Sequence, residues 1–130
     1  MEKKVLIVGK NQDTCEILVR ALSCEDLRVF VAADGVGGLF QFGMVQPQVV
    51  ILDLDGWETL QRLRSLSSVP IIALTANDWE AGVESLDRGA DYFVTKPLNV
   101  REVAAKVHAS LRRQRRMGNR MRHVEENGRN

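Results

Sequence analysis

The sequence is poor in the features that mark secreted and membrane proteins. Its 130 residues contain only two cysteines, Cys15 and Cys24. Without a second pair or a Cys-x-x-Cys spacing, these cysteines are expected to be reduced thiols, Cys15 packed and Cys24 near the surface. No apolar run approaches the ~20 residues that span a bilayer, and no apolar signal core follows the Met-Glu-Lys-Lys start. The sequence therefore predicts a cytoplasmic protein without a membrane segment.

Nucleotide and metal motifs are lacking as well. The pair Gly9-Lys10 follows an apolar run but lacks the upstream glycine of a phosphate-binding P-loop. His108 and His123 have no acid or cysteine at the spacing of a metal site, so we assign them no metal role. With 45% hydrophobic and 27% charged residues, the composition is that of an ordinary globular domain. A chain of this length fits a single domain.

Charge is unevenly distributed along the chain. Residues 1–111 hold 11 Lys/Arg against 15 Asp/Glu, whereas residues 112–130 hold seven Arg against two Glu. The body is therefore mildly acidic and the tail basic. Cations suit the last turn of a helix and a polar linker. A nucleic-acid-binding arm is the alternative, although the tail has no interleaved aromatic residues.

Five apolar runs alternate with five helical patterns. The runs suit buried parallel strands and cover residues 5–8, 29–32, 49–52, 71–74 and 92–94. Expected helix boundaries are Asn11 or Asp13, Asp78 and Asn99 at helix starts, and Gly89 at the end of the fourth helix. Five strand–helix units with short crossovers predict a flavodoxin-like, doubly wound α/β fold, with a five-stranded parallel sheet and five helices.

Three of the runs end in polar side chains. Asp53 follows V49-V50-I51-L52, Thr75 follows I71-I72-A73-L74, and Lys96 follows Y92-F93-V94-T95. Open α/β sheets bind their ligands at the carboxyl ends of the strands. An acid, a hydroxyl and an amine are therefore expected to meet at one edge of the sheet.

In order and spacing these runs resemble the response-regulator receiver domain. The resemblance implies that Asp53 is the aspartate phosphorylated by a histidine kinase. Thr75 would be the hydroxyl that follows the phosphoryl group, and Lys96 the amine that pairs with it. Phe93 falls on the aromatic residue that swings inward on activation, and Pro97 on the family's cis peptide. Such a domain is a signalling module, not an enzyme.

Two departures from the family pattern affect the metal site. Receivers hold Mg²⁺ with two adjacent acids after the first strand, and Gly9 and Lys10 stand there instead. The loop from Asp53 to Gly56 is also shorter than usual, although it should supply a backbone carbonyl to the metal. Mg²⁺ needs several oxygen ligands in octahedral geometry. We therefore expect no metal cofactor, and a rebuilt site that uses Asp55 is disfavoured with Lys10 opposite.

Lys10 has two open interpretations. Its ammonium could pair with Asp53, opposite Lys96, and supply the positive charge that Mg²⁺ would otherwise bring. Alternatively Lys10 points into solvent from the end of the strand, since lysine is long enough for either.

The resemblance covers about residues 3–113 and suggests the domain limits. We predict a receiver domain over residues 1–113 and a basic polar tail or linker over 114–130. The last helix resembles that of receivers joined to a winged-helix DNA-binding domain. Contact with DNA would then occur only through an output domain outside this sequence.

Receivers of that class form dimers through the fourth helix, fifth strand and fifth helix. The charged residues expected at this face are Asp91, Arg101, Glu102 and Lys106. Tyr92 stands where a second acid is usual, and Gly82 near the usual basic position. A homodimer through this face is a prediction with an incomplete set of charges.

The sequence thus predicts an atypical receiver domain, not phosphorylated by the usual Mg²⁺-dependent route, in a two-component transcriptional regulator. One alternative is a conventional receiver phosphorylated on Asp53 by a histidine kinase. Another is a stand-alone adaptor that binds a partner protein through the same face. A small flavodoxin-like enzyme is disfavoured by the lack of a phosphate loop and of a second catalytic acid.

Overall fold

A computed structural model of the chain describes residues 2–23, 26–53, 55–76 and 78–113. The strands are β1 (Lys3–Val8), β2 (Leu27–Ala32), β3 (Val49–Asp53), β4 (Ile71–Thr75) and β5 (Tyr92–Thr95). The helices are α1 (Gln12–Ser23), α2 (Gly35–Val45), α3 (Glu58–Leu66) and α4 (Trp79–Asp87), followed by α5 over residues 100–113. All five predicted strands are present, each one or two residues longer than its apolar run.

The strands form one parallel sheet in the order β2-β1-β3-β4-β5. The predicted flavodoxin-like fold is thereby confirmed. The register pairs Val8 with Leu52 and Asp53 with Leu74, so the residues after β1, β3 and β4 meet at one edge. Since β3 is central and both its neighbours end beside it, Asp53 lies where side chains from several strands converge.

Both faces of the sheet are covered by helices, as the continuous apolar strands require. One core includes Leu18 and Leu22 of α1 and Val103 and Val107 of α5, packed on the sheet. The opposite core receives Leu60 and Leu63 of α3, with partly buried residues of α2 against it. Alternate residues of β1 and β3 face the two cores, which explains why these strands have no polar face.

Local signals place the helix ends that frame the site. The side chain of Asn11 accepts from the backbone N–H of Thr14 at 3.0 Å, so Asn11 is the cap of α1. Asp78 accepts from the first turn of α4, and Asn99 does the same for α5. Gly89 adopts a φ of +118° just after α4, a conformation that favours glycine.

Several sequence predictions concern residues outside the described ranges. Cys24 and the tail over residues 114–130 belong to this group, so the proposed linker stays a prediction. Cys15 is buried, as expected, and burial raises the pKa of its thiol. No helix within the described ranges has the length and apolar character to cross a membrane.

Candidate functional site

The edge formed by the carboxyl ends of β3, β4 and β5 brings the three predicted polar residues together. Asp53 ends β3, Thr75 ends β4, and Lys96 follows β5. The backbone N–H of Lys96 donates to the carbonyl of Thr75 at 2.9 Å, which ties the two segments. The peptide between Lys96 and Pro97 is cis, in agreement with the sequence prediction. The acid, hydroxyl and amine therefore belong to one site.

Asp53 and Lys96 form an ion pair. The ammonium Nζ of Lys96 donates to Oδ2 of Asp53 at 3.0 Å. The Asp53 side chain is 13% exposed and that of Lys96 32%. Because water screens such a pair less than a surface pair, the attraction is stronger here than between freely exposed charges. Lys96 is thus the cation that balances the Asp53 carboxylate.

The hydroxyl of Thr75 has no partner in the structure. Thr75 is 2% exposed, and its Oγ1 is the one buried side-chain oxygen or nitrogen without a hydrogen bond among the described residues. A buried hydroxyl without a partner is destabilising, and such groups are frequent at functional sites. Its position at the end of β4 keeps this hydroxyl free to bind a group that enters beside Asp53.

Gly9 lies against Asp53. A Cβ atom placed on Gly9 would lie 2.9 Å from Cβ of Asp53, closer than carbon atoms normally approach. The backbone N–H of Gly9 donates to the carbonyl of Ala32 at 3.0 Å, so the position is held by the sheet. A larger residue at position 9 would therefore require a shift of β1 or β3. The glycine brings the two strand ends close together where the family has an acid.

The predicted pairing of Lys10 with Asp53 is wrong, whereas its side chain is 69% exposed, as the solvent-pointing alternative has it. Lys10 donates to Oδ2 of Asp55 at 2.6 Å across the two loops that follow β1 and β3. This pairing holds the pKa of Asp55 below its ordinary value and raises that of Lys10. The physical reason is reach: the short loop after Asp53 brings the exposed Asp55 to Lys10, while Lys96 already occupies Asp53.

An open cleft of about 340 Å³ lies between these loops and the first turns of α2 and α3. Its charged lining residues are Lys10, Asp34, Asp53, Asp55, Glu58 and Arg62. Asp34 caps α2 and Arg62 pairs with Glu58 at 3.0 Å, so most of these charges already have partners. The cleft gives a small polar molecule access to Asp53 from solvent.

Phe93 is held in place by α4. A Cβ on Gly82 would overlap the Phe93 ring, so the glycine provides the space on which the ring rests. Trp79 meets the same ring edge-on, with centroids 4.9 Å apart and an interplanar angle of 74°. The sequence indicates neither contact, although it places Gly82 near the position where the family usually has a basic residue.

The elements of the predicted dimer face, α4, β5 and α5, enclose a hollow. Asp91, Glu102 and Lys106 line it, and Lys106 pairs with Glu102 within α5 at 2.6 Å. Asp91, one of the charges expected at this face, already has partners within this chain. Its Oδ2 accepts from Arg64 at 2.9 Å and from the backbone N–H of Ile71 at 2.8 Å.

Arg101 is exposed at the first turn of α5, where its backbone is part of the Asn99 cap. Tyr92, the residue that replaces an acid, has its hydroxyl 3.3 Å from Arg113. The charges available to a partner at this face are therefore fewer than the sequence suggested. Arg64 was missed at the sequence level because nothing in the α3 pattern indicates that it reaches across to Asp91.

Comparison with known proteins identifies the family to which this fold belongs. The model of the response regulator receiver domain family matches residues 5–108. The chain is 27% identical to the receiver domain of a Francisella response regulator, covering 87% of this chain and 99% of that chain with a TM-score of 0.81. It is 28% identical to a response regulator structure from Chloroflexus aurantiacus, covering 85% and 98% with a TM-score of 0.79.

A longer protein shares the fold. NtrX from Brucella abortus matches with a TM-score of 0.84 at 23% identity, over 94% of this chain but 29% of that one. This chain belongs to the response-regulator receiver domain family and is the receiver domain of a two-component response regulator. Receiver domains are in general signalling modules that histidine kinases phosphorylate.

Proposed function

We propose that this domain is an atypical receiver that signals without Mg²⁺-dependent phosphorylation of Asp53. The single observation that carries the proposal is the occupation of the site by two lysine ion pairs. Lys96 pairs with Asp53 at 3.0 Å, and Lys10 pairs with Asp55 at 2.6 Å. Both carboxylates therefore have a compensating positive charge. A site attracts a divalent cation when its carboxylates lack such a charge.

The oxygen donors at this edge do not fit Mg²⁺. The ion demands near-octahedral oxygen coordination and loses its water reluctantly. Gly9 contributes no side-chain oxygen, and Lys10, which lines the same cleft, has its ammonium on Asp55. Within the described ranges, no three His, Cys, Asp or Glu side chains are grouped so that they could hold a metal. The two acids nearest this edge, Asp53 and Asp55, are each already paired with a lysine.

A conventional receiver phosphorylated on Asp53 is the second candidate. Two observations favour it: Thr75 keeps a buried hydroxyl without a partner, and the cleft gives access to Asp53. These features would suit a phosphoryl group, with Lys96 as its counter-ion. The proposal for an atypical receiver and this candidate therefore differ in one measurable property, which is whether Asp53 accepts a phosphoryl group from a small donor.

The test is to incubate the protein with acetyl phosphate and Mg²⁺ and to follow the intact mass. We expect no added phosphoryl group on the wild-type protein. Lys10→Asp is the informative variant, because it adds a carboxylate and removes a cation while it keeps the close approach at Gly9. We expect this variant to bind Mg²⁺ weakly and to be phosphorylated slowly. Phosphorylation of the wild-type protein, lost in Asp53→Asn, would establish the conventional receiver instead.

We further propose that the domain acts on a DNA-binding output domain, with a histidine kinase as a possible upstream partner. The basic composition of residues 112–130 supports this, since a cationic linker suits a neighbour that contacts DNA. The test is to join the receiver to any sequence that follows it in the gene and to assay the product for DNA binding. A protein without DNA-binding activity would favour the stand-alone adaptor.

A homodimer through the α4–β5–α5 face is part of the same proposal. Trp79 and Leu86 offer an apolar centre beside the hollow, and Arg101 is its exposed cation. Exposed ion pairs are worth only ~0–1 kcal/mol, so the apolar centre must supply most of the affinity. We expect Arg101→Glu to weaken association in sedimentation. An unchanged association constant would exclude a role of this charge.

A further inference from the structure

The outward face of α2 is apolar and carries no charge. Val36, Phe40 and Met44 follow one another at intervals of four residues, and they are 82%, 67% and 72% exposed. The whole segment over residues 35–52 contains no charged residue. A surface helix normally has a polar outer face, and a helix that is apolar all round is normally buried. The α2 helix therefore has the composition of a helix with a partner on both sides.

The other helices do not share this property. Each has charged residues on its exposed side within the described ranges. These residues are Glu16 and Arg20 on α1, Glu58 and Arg62 on α3, Glu80 and Glu84 on α4, and Arg101 and Glu102 on α5. The apolar outer face is thus specific to α2 and is not a general feature of the domain.

Gly43 gives independent support. A Cβ at Gly43 would meet no atom within 4 Å, so nothing within the described residues requires glycine there. In contrast, a Cβ at Gly38 would lie 2.8 Å from Val8, which explains that glycine by packing on the sheet. Glycine is a poor helix former, and its use is justified where another backbone or side chain approaches closely. We take the open space at Gly43 as room for a group from outside the described domain.

We propose that the α2 face is an isologous interface with a second copy of this chain. The face carries both a projecting residue and a gap beside it. Phe40 stands midway between Val36 and Met44, and Gly43, three residues further on, leaves open space next to it. Around a two-fold axis near Phe40, two antiparallel α2 helices place Val36 of one copy opposite Met44 of the other. A two-fold interface requires this kind of self-complementarity.

The exposed area limits the interface that the stripe alone can form. Three side chains that are 82%, 67% and 72% exposed present less than the ~800 Å² per partner of a standard stable interface. The stripe alone thus gives a weak, concentration-dependent dimer. A charged peptide would gain no ion pair from this face, whereas a second uncharged α2 buries apolar surface on both sides.

The interface is also continuous with the candidate site. Val36, at one end of the stripe, lines the cleft that leads to Asp53, together with Leu39. A second copy seated on α2 would therefore lie at the mouth of the cleft. Association and access to Asp53 would be linked in such a dimer, and this link does not depend on whether Asp53 is phosphorylated.

The test measures self-association of the full chain by sedimentation from low micromolar to about 1 mM concentration, the weak limit of specific association. We expect the wild-type protein to associate and Phe40→Lys to weaken association at least tenfold, because the lysine would bury an unpaired charge. Gln61→Lys, at an exposed position on α3, is the matched control and should behave as wild type. Unfolding of each variant in urea verifies that Phe40→Lys is folded.

The outcomes separate this interface from the α4–β5–α5 dimer. A wild-type protein that stays monomeric at about 1 mM overturns the proposal. Equal association of Phe40→Lys and Gln61→Lys also overturns it, and loss of association in Arg101→Glu alone assigns the dimer to the other face. Gly43→Ala provides a second variant that should fold at least as stably as wild type yet associate more weakly. A monomer whose α2 resonances respond only to another protein would replace the second copy with that partner.

Discussion

Replacement of the acceptor carboxylate by an amide should destabilise this domain. In a site with two further acids beside the acceptor, an amide relieves repulsion between like charges and stabilises the fold. Here Gly9 and Lys10 replace those acids, and Asp53 has Lys96 as its partner at 3.0 Å. Asp53→Asn therefore removes an attraction rather than a repulsion. The sign of this effect depends directly on the altered composition of the site.

The size of the expected loss of folding stability follows from the burial and geometry of the Asp53–Lys96 pair. A hydrogen bond between charged groups contributes ~1.5–3 kcal/mol. Because Asp53 is only 13% exposed, Lys96→Met leaves a largely buried carboxylate unpaired and should cost the upper part of that range. Asp53→Asn leaves the more exposed Lys96 and should cost ~1–2 kcal/mol. The double variant Asp53→Asn/Lys96→Met should lose less free energy of unfolding than the two single variants lose together. The difference, the coupling energy, should be ~1–2 kcal/mol.

Urea unfolding of the four proteins at pH 7 measures this cycle. For a domain of this size, 1 kcal/mol corresponds to a melting-temperature shift of about 3–5 °C, so thermal scans give a parallel readout. Repetition at high salt is the control, since the coupling of a partly buried pair should decrease only modestly. A coupling energy below ~0.3 kcal/mol, or a stabilising Asp53→Asn, would refute the ion pair as described.

Three further predictions concern neighbouring features. In the wild-type protein, Mg²⁺ should produce no saturable shift of the amide resonances near Asp53 below ~1 mM. The double variant Gly9→Asp/Lys10→Asp should bind Mg²⁺ no better than the single variant Lys10→Asp, because a Cβ at Gly9 crowds Asp53. In a carboxyl NMR titration, Asp55 should titrate below its ordinary pKa, and Lys10→Ala should return it there. The stabilising effect of this pair on the acid side is lost as pH falls through the lowered pKa of Asp55. Gly43→Ala should stabilise the fold against urea by up to ~1 kcal/mol, whereas Gly38→Ala, with its Cβ 2.8 Å from a buried β1 valine, should not.

Much of the fold could be predicted from the sequence because its signals are local and repeated. Each apolar run is bounded by turn residues or helix caps, and Asp78, Asn99 and Gly89 act at the predicted helix ends. Parallel strands must end at a common edge, so the meeting of Asp53, Thr75 and Lys96 followed from topology alone. The strand ends extended beyond the runs because backbone pairing continues where side chains are no longer apolar.

Charge partners were harder to predict because long side chains reach several candidates. One of the two interpretations of Lys10 places it near Asp53, yet Asp55 lies closer to its ammonium and Lys96 occupies Asp53. Asp91, just before β5, pairs with Arg64 of α3, a contact between residues 27 positions apart. Such pairings depend on distances of a few ångström between elements, which a one-dimensional pattern does not contain.

The sequence by itself determined the class of fold, the edge of the sheet where the site lies, and the loss of the two acids after β1. Only the tertiary structure decided which charges compensate each other, why Gly9 must be small, and how Gly82 and Trp79 hold Phe93. It also separated glycines that pack internally from Gly43, which faces open space. The physical reason is that periodicity and capping act over a few neighbouring residues, whereas packing and electrostatics act between residues that folding brings together.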